Sequence, residues 1–339
     1  MIPAPDVGAL DAHESDELDL EGFSGVLAAH RGGELIAGWA RGLADRSFAV
    51  PNTLDTRFAT ASVAKTFTAV AILSLVAEER LTLDTTARSV LGADLPLIAE
   101  DVTIEHLLSH RSGIGDYLDE EIDEYAPLSI PVQQLDSAEA YVPLLDGFET
   151  AFPAGERWVY CNGGFVVLGI IAERVSGVPY DRLVAQRVFA PAGMTSSDFA
   201  RSDRLEPLSA VGYKEDGTSN IFHIPVVGVG DGGARTTVAD LHAFWSSLYR
   251  ARIIPSELVE AMTATVTANV EDDDDGTGYG LGVWTQGGTV AALGGDHGVS
   301  AFSRHDPVHD LTVTLLSNEE EVPSYRRVTT VEEIILRGL

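Results

Sequence analysis

Lysine is almost absent from this sequence. The chain has two lysines, Lys65 and Lys214, against twenty arginines. The first lies in the stretch TASVAKTF (residues 60–67), three residues after Ser62. Cysteine is rarer still, because Cys161 stands alone. A single cysteine excludes an internal disulfide and any cysteine-rich zinc site.

Long apolar runs are also missing. The chain has no run of eighteen apolar residues, so the sequence predicts no membrane-spanning helix. The first residues, MIPAPDVGALDAHESDELDLEG, lack the basic and apolar regions of a signal peptide. We therefore expect a cytoplasmic protein, unless an export signal has been removed ahead of this sequence. With 45% hydrophobic residues, the 339-residue chain can bury a large core in one large or two interleaved domains.

Positive charge is scarce as well, and the formal net charge is −30. Such a charge repels nucleic acid phosphates and anionic lipids, so neither nucleic acid nor a membrane is expected as a partner. An acidic surface with almost no lysine is typical of proteins that live in high salt, which screens the repulsion. The alternative is an acidic protein from a genome that favours arginine codons.

The apolar patterns place strands at both ends of the chain and helices between them. Predicted strands cover residues 25–30, 34–40, 280–284, 301–303 and 311–316. Predicted helices cover residues 62–80, 104–108, 164–175 and 330–339. We expect an α/β fold with an antiparallel sheet built from both chain ends: residues 1–60 and 240–339 form a sheet domain, and residues 61–239 a mainly helical one. The acidic run at residues 271–275 is interpreted as a solvated loop, because it lacks the ligand pattern of an EF-hand.

Ser62 and Lys65 have the spacing of a nucleophile and its base. If Ser62 begins the predicted helix, Lys65 lies one turn later on the same face and its ammonium can reach the serine oxygen. A serine hydroxyl is a weak nucleophile until a base removes its proton, and a buried lysine can be that base. The alternative is a serine that caps a helix, followed by a surface lysine.

A second pair, Tyr160 and Asn162, lies in the turn-rich stretch FPAGERWVYCNGG. A tyrosine beside a lysine ammonium can be held partly as phenolate and can carry protons to or from a serine or a leaving group. The alternative is a buried tyrosine that is hydrogen-bonded to a loop.

Five ordered segments together carry a family resemblance over nearly the whole chain. They are TASVAKTFTAVAILSLVAEERLTLD, TIEHLLSHRSGIGDY, FPAGERWVYCNGGFVVLGIIAERVSGVPY, APAGMTSS and DGGARTTVADLHAF. They resemble signatures of the serine β-lactamase-like hydrolases. The most similar branch contains class C β-lactamases, D-alanyl-D-alanine carboxypeptidases, D-amino acid amidases and related carboxylesterases. The resemblance implies the penicillin-recognising fold, an α/β domain beside an all-helical one with the site in the cleft between them.

The resemblance also implies roles for individual residues. Ser62 is then the nucleophile, Lys65 its proton-transfer partner, Tyr160 the general base or acid, and Asn162 a side chain that positions the substrate. Arginine could not replace Lys65, because it is essentially never deprotonated. No cofactor or metal is implied, and the expected partner is a small-molecule substrate. His110 is expected to shape loops near the cleft, Cys161 to pack, and the Asp231-Gly232-Gly233 stretch to form a tight backbone passage.

The third motif of the family departs from its usual form. Family members carry K-T-G or H-x-G on a strand beside the site, and this chain offers VAALGGDHGVS at residues 290–300. In one register His297 and Gly298 belong to the motif and bind substrate, although His297 comes one residue late. In the other, which we favour, Ala292 replaces the cation and Gly294 is the motif glycine.

Without a cation at this strand, substrates with a free carboxylate should bind poorly, so neutral esters or amides become the expected substrates. We expect a serine hydrolase that forms an acyl-enzyme at Ser62, with an oxyanion hole from the Ser62 N–H and one N–H near residues 294–300. The alternatives are a D-aminopeptidase, a D-Ala-D-Ala carboxypeptidase or a weak β-lactamase. A catalytically silent binding protein on the same fold is the alternative of another class.

Overall fold

An antiparallel sheet of nine strands runs through the protein. The structure is a computed structural model, which describes residues 7–8, 18, 20–118, 128–270, 276–320 and 322–337. The predicted acidic loop at residues 271–275 lies outside the described residues. The strands are β1 (Val7–Gly8), β2 (Gly25–Arg31), β3 (Glu34–Arg41), β4 (Leu43–Asp45), β5 (Val50–Pro51), β6 (Phe58–Ala59), β7 (Arg235–Thr236), β8 (Thr267–Ala268), β9 (Gly278–Tyr279), β10 (Trp284–Gln286), β11 (Thr289–Asp296), β12 (Val299–Asp306) and β13 (Leu311–Ser317).

Most of the helices lie in the chain between the two groups of strands. They are α1 (Ala64–Ala77), α2 (Ala87–Leu91), α3 (Ile104–Leu108), α4 (Val142–Leu145), α5 (Asn162–Ser176), α6 (Tyr180–Val184), α7 (Ala190–Ala192), α8 (Val238–Tyr249), α9 (Ser256–Thr263) and α10 (Ser324–Arg337). Short 3-10 turns cover Ala61–Val63, Val132–Gln134, Ala138–Tyr141 and Asn220–Phe222, and a π-type turn covers Ala185–Phe189. Among the described helices, none is long and apolar enough to cross a membrane.

Both ends of the chain contribute to the large sheet. Its strand order is β1-β3-β2-β13-β12-β11-β10-β9-β8, and all neighbours are antiparallel. The two groups of strands join where β2 pairs with β13, from Gly25 opposite Ser317 to Arg31 opposite Leu311. The predicted α/β class, with an antiparallel sheet drawn from both chain ends, is therefore confirmed.

Both faces of the sheet are buried. Successive side chains of a strand point to opposite sides, so they pack into two different cores. In β2, Val26 and Ala28 join the core shared with the inserted helices. Leu27 and Ala29 face the other way and share a second core with Val328 of α10. This two-sided burial explains why the predicted strands read as continuous apolar runs.

Helix α1 is buried along most of its length. The sequence predicts a helix over residues 62–80; the structure has a 3-10 turn at Ala61–Val63 followed by α1 from Ala64 to Ala77. Residues 64–75 are all buried, including the charged side chain of Lys65. A charge at that depth requires polar partners, and its partners define the site described below.

The predicted strand over residues 280–284 is wrong. Strand β9 ends at Tyr279 and β10 begins at Trp284. Between them Gly282 takes φ +78°, and a Cβ there would lie 2.5 Å from the Cβ of Ala69 in α1. The Gly282 N–H donates to the Leu108 carbonyl, and its own carbonyl accepts from Thr66. The segment leaves the sheet because it satisfies its backbone against the helices.

Candidate active site

Ser62 lies in a constrained turn between β6 and α1. Strand β6 pairs with β7, and the Thr60 N–H donates to the Ala234 carbonyl at 3.0 Å, which anchors the turn. Ala61 has φ +45°, in the left-handed region that non-glycine residues rarely adopt. The turn leaves the Ser62 hydroxyl half-buried at the wall of a cavity.

The Lys65 ammonium is the centre of the polar contacts behind Ser62. The side chain is 2% exposed. Its Nζ donates to Ser62 Oγ at 2.7 Å, to Asn162 Oδ1 at 2.7 Å and to the Asp231 carbonyl at 3.2 Å. These three acceptors match the three donors of an ammonium, so the charge is solvated by the protein.

Tyr160 borders the same ammonium. Its ring centroid lies 4.9 Å from Lys65 Nζ, and the ring stacks on Trp284 with centroids 6.5 Å apart. Behind it lies His110, 4.4 Å away between ring centroids. Burial lowers the pKa of His110 well below its usual value, and its Nδ1 accepts the Cys161 N–H at 3.1 Å. His110 is therefore neutral and holds the loop that carries Tyr160.

Strand β11 passes directly behind the Ser62 turn at Gly294. A Cβ on Gly294 would lie 2.6 Å from the Ser62 amide nitrogen and would also clash with the Thr60 carbonyl. Only glycine allows the strand to approach so closely. Ala292, two residues earlier, is 2% exposed and belongs to the core that α1 shares with the sheet.

His297 and Gly298 form the turn between β11 and β12. The His297 ring lines the cavity, 4.9 Å from the ring of His223, and its Nδ1 lies 3.7 Å from Glu320 Oε2. Gly298 has φ +64°, and its N–H donates to Glu320 at 3.2 Å. The structure thus brings His297 to the cavity that contains Ser62, whereas the Gly298 N–H is directed to a protein carboxylate.

The cavity in front of Ser62 has a volume of about 400 Å³. One side is largely apolar and is formed by Leu118, Leu128, Ile130, Pro131, Val132, Phe222, Ile224, Pro225 and Val299. Phe222, on the 3-10 turn Asn220–Phe222, is 73% exposed. The charged residues that line the cavity are Asp231, Asp296 and Arg235. The guanidinium of Arg235 donates to the Ala210 carbonyl at 3.0 Å.

Two carboxylates near Lys65 were not predicted as site residues. Asp116 accepts the N–H groups of Asn162 and Gly163, and burial raises its pKa. Asp231 accepts the hydroxyl of Tyr117 at 2.5 Å, and burial raises its pKa to about 6. The sequence predicted a tight backbone passage at residues 231–233, and Gly233 does pass against Gly228. Nothing in the spacing pointed to the Asp231 side chain, because its partner lies 114 residues away.

The described residues contain no group of three or more histidine, cysteine, aspartate or glutamate side chains that could hold a metal ion. The polar groups around Ser62 can transfer a proton to and from its hydroxyl, because Lys65 Nζ lies 2.7 Å from Oγ. A lysine within hydrogen-bond distance of a serine, with a tyrosine beside it and a cavity in front, is the arrangement of a nucleophile with its base.

Comparison with known proteins agrees with this geometry. The Beta-lactamase family profile matches residues 10–335. A penicillin-binding protein of Bacillus subtilis is 30% identical over 93% of this chain and 73% of its own length. Esterase EstB of Burkholderia gladioli is 33% identical over 55% of this chain, which spans about half of that esterase (49%). The crystal structure of a penicillin-binding protein from Bacillus halodurans superposes with a TM-score of 0.84 at 32% identity, over 96% of this chain and 100% of that one. The chain belongs to the β-lactamase family and is a serine hydrolase.

Proposed function

We propose that Ser62 is the nucleophile of an acyl-enzyme reaction, Lys65 its proton-transfer partner and Tyr160 a second proton donor and acceptor. The observation that carries the proposal is the 2.7 Å hydrogen bond between Lys65 Nζ and Ser62 Oγ. Their geometry is that of a base within reach of the proton it removes. The cavity in front of Ser62 leaves room for the substrate.

The reaction follows from these positions. Lys65 must first lose one ammonium proton to solvent. The resulting amine takes the Ser62 proton as Oγ bonds to the substrate carbonyl carbon, and the C=O electron pair moves to oxygen. The tetrahedral intermediate then expels the alcohol or amine, which takes a proton from the Tyr160 hydroxyl or the Lys65 ammonium. Water then attacks the ester of Ser62 and gives a proton to the group that protonated the leaving group, the Tyr160 phenolate or the Lys65 amine. The bond between Oγ and the acyl carbon breaks, Oγ takes a proton from the Lys65 ammonium, and the acid leaves with Ser62 restored as a hydroxyl and Lys65 as an amine.

The oxyanion hole is proposed to consist of the Ser62 and Gly295 N–H groups. Strand β11 lies against the Ser62 amide at Gly294, so the following residue, Gly295, is at the edge of the cavity. Two N–H donors directed to one point stabilise the charge that develops on the substrate oxygen. This placement favours the register in which Gly294 is the motif glycine and Ala292 stands at the position of the family's cation.

Neutral, apolar esters or amides are the proposed substrates. The cavity has an extensive apolar side, and Ala292 supplies no charge for a substrate carboxylate. The lining contains two carboxylates, Asp231 and Asp296, and one arginine, Arg235, so the formal charge of these three side chains is not positive. Phe222, exposed at the cavity, is suited to contact an apolar acyl group.

A second candidate is hydrolysis of peptides or β-lactams. The similarity to two penicillin-binding proteins favours it. Because the same Ser62, Lys65 and Tyr160 would act in either case, only the substrate distinguishes the two candidates. The division into residues 1–60 with 240–339 and residues 61–239, and a cytoplasmic location, are likewise proposals.

The test combines a covalent probe with a substrate panel. A fluorophosphonate should label the native protein but not Ser62→Ala. Among p-nitrophenyl esters, D-amino acid amides and a chromogenic cephalosporin, the apolar esters should give the highest kcat/KM. Labelling of Ser62→Ala would refute the nucleophile, and fast hydrolysis of the cephalosporin would refute the substrate class.

A further inference from the structure

Residues 116–118, the sequence Asp-Tyr-Leu, border the Lys65 cluster without contributing to the proposed chemistry. The carboxylate of Asp116 accepts the N–H of Asn162 at 2.5 Å and the N–H of Gly163 at 2.8 Å. Both N–H groups belong to the first turn of α5, where the chain has no helical acceptor for them. Hydrogen bonds from backbone N–H groups to a carboxylate are short and strong. Asp116 therefore fixes the beginning of α5, and with it the Asn162 side chain that accepts from Lys65 Nζ.

The next two residues continue the same support. The carbonyl of Leu118 accepts from Asn162 Nδ2 at 3.4 Å, so this segment contacts both the backbone and the side chain of Asn162. Tyr117 donates its hydroxyl to Asp231 Oδ2 at 2.5 Å. Asp231 is the residue whose carbonyl is the third acceptor of Lys65 Nζ. Residues 116–118 thus hold two of the three acceptors of the ammonium.

Residues 116–118 also interact with Lys65 electrostatically, through the carboxylate of Asp116. Burial raises the pKa of Asp116, while the N–H groups of Gly163, Asn162 and Leu118 and the charge of Lys65 oppose that rise. This attraction is mutual, so an ionised Asp116 favours the ammonium form of Lys65. The other ionisable groups near the ammonium are Asp231, Tyr160, the buried thiol of Cys161 and the neutral His110.

We propose that residues 116–118 position Lys65 for proton transfer, Asp116 through Asn162 and Tyr117 through Asp231. The inference rests on the proposed role of Lys65. None of the three side chains needs to touch the reacting atoms, so they are positioning residues. A displacement of Nζ by a fraction of an ångström would disturb the transfer from Ser62 Oγ, which depends on alignment.

The experiment compares Asp116→Asn with Asp306→Asn. Asp306 is a matched control, because its carboxylate also accepts two successive backbone N–H groups, of Val308 and His309, at the far end of β12. Asp116→Asn keeps the shape but loses the charge and one acceptor. We expect it to slow fluorophosphonate labelling of Ser62 roughly ten- to hundredfold. We also expect the acidic limb of its pH–rate profile to move to lower pH. Asp306→Asn should lower the melting temperature but leave the labelling rate and the profile unchanged.

Tyr117→Phe provides a second measurement, since it removes a single hydroxyl. It should slow labelling about two- to tenfold, the value of one hydrogen bond. If Asp116→Asn is folded, labels at the native rate and keeps the native pH profile, the inference is overturned. If Asp116→Asn does not fold, Tyr117→Phe decides, and a native labelling rate there overturns it. Ser62→Ala distinguishes failure of the proposed function from failure of the positioning role. Labelling of Ser62→Ala would refute the proposed function. No labelling of Ser62→Ala, together with full labelling of Asp116→Asn, would refute only the positioning role.

Discussion

Two buried polar clusters lie at opposite ends of strand β12. The lysine cluster (Ser62, Lys65, Asn162 and Asp231) lies beside Gly294, which pairs with Ala301 near the start of the strand. The histidine cluster (His30, His242, His305 and Thr312) surrounds the far end, where His305 pairs with Thr312. The lysine cluster borders the cavity and supplies acceptors for a cation, whereas the buried histidine cluster excludes one.

The direction of the hydrogen bonds explains the difference. Lys65 Nζ donates to three oxygen acceptors and lies 4.9 Å from the Tyr160 ring centroid. His242 Nε2 instead accepts the Gly33 N–H at 3.0 Å, so it carries no proton, and its Nδ1 donates to Thr312 Oγ1 at 2.8 Å. Burial lowers the pKa of His30 and His305 to about 4 and also lowers that of His242. Burial alone does not determine charge; the donors and acceptors around the group do.

The largest expected effect comes from Lys65→Arg. Arginine keeps the positive charge but cannot release its proton, so kcat/KM for ester hydrolysis should fall roughly 10³-fold, within the usual range for loss of a general base. Steady-state kinetics on one p-nitrophenyl ester measures the loss. Lys214→Arg, at the only other lysine, is the matched control and should retain full activity. Substantial ester hydrolysis by Lys65→Arg would contradict the proposed role of Lys65 in proton transfer.

Acid should unfold the protein through the histidine cluster. A histidine whose pKa is about 4 when folded and about 6.5 when unfolded contributes stability above pH 6.5 that is lost as the pH falls towards 4. By pH 5 the loss is about 2 kcal/mol for each of His30 and His305. Urea unfolding at pH 7 and pH 5 measures it. In the double variant His30→Gln with His305→Gln this pH dependence should be smaller, and an equal slope in both proteins would contradict the assignment.

Adding a cation to β11 should change substrate preference. Ala292→Lys places an ammonium at the position where the family carries one, so substrates with a free carboxylate should improve about ten- to hundredfold over neutral esters. Kinetics on one ester and one matched carboxylate substrate measures the ratio. The alternative register predicts the reverse result, in which Ala292→Lys brings no improvement and His297→Ala abolishes activity.

Salt should have the smallest effect, since it acts on the exposed charges and reaches neither buried cluster. Thermal stability should rise by a few degrees between 0.1 M and 1 M salt, because the Debye length falls from about 10 Å to about 3 Å. Differential scanning calorimetry at several salt concentrations measures the rise. A melting temperature that stays flat or falls would leave the saline interpretation of the −30 charge without support.

The parts of the site that follow from local spacing could be predicted. Ser62 and Lys65 are one helical turn apart, so sequence alone indicated that the two would meet. The motif that contains Tyr160 and Asn162 likewise indicated a tyrosine near the lysine. The apolar, β-type composition of the chain ends likewise predicted most of the terminal strands. These features depend on contacts between near neighbours or on patterns that repeat along one element.

The parts that depend on distant contacts could not be predicted. Asp116 meets Asn162 across 46 residues, and Tyr117 meets Asp231 across 114. The chain leaves the sheet at Gly282, where it packs against Ala69 on α1. The β-type composition of residues 280–284 does not indicate this contact. The contact of Gly294 with the Ser62 amide, which supports the favoured register of the third motif, also joins distant segments and could not be predicted.

The pairing of β2 with β13 has a consequence for synthesis on the ribosome. Strand β2 is made early, but its partner begins at residue 311, so one edge of β2 stays unpaired until nearly the whole chain has emerged. Non-local pairing of this kind slows folding and exposes strand edges that can aggregate. The proposed oxyanion hole also needs β11, which is made after Ser62, Lys65 and Tyr160. The nascent chain therefore carries its proposed nucleophile long before the strand that completes the proposed oxyanion hole has been made.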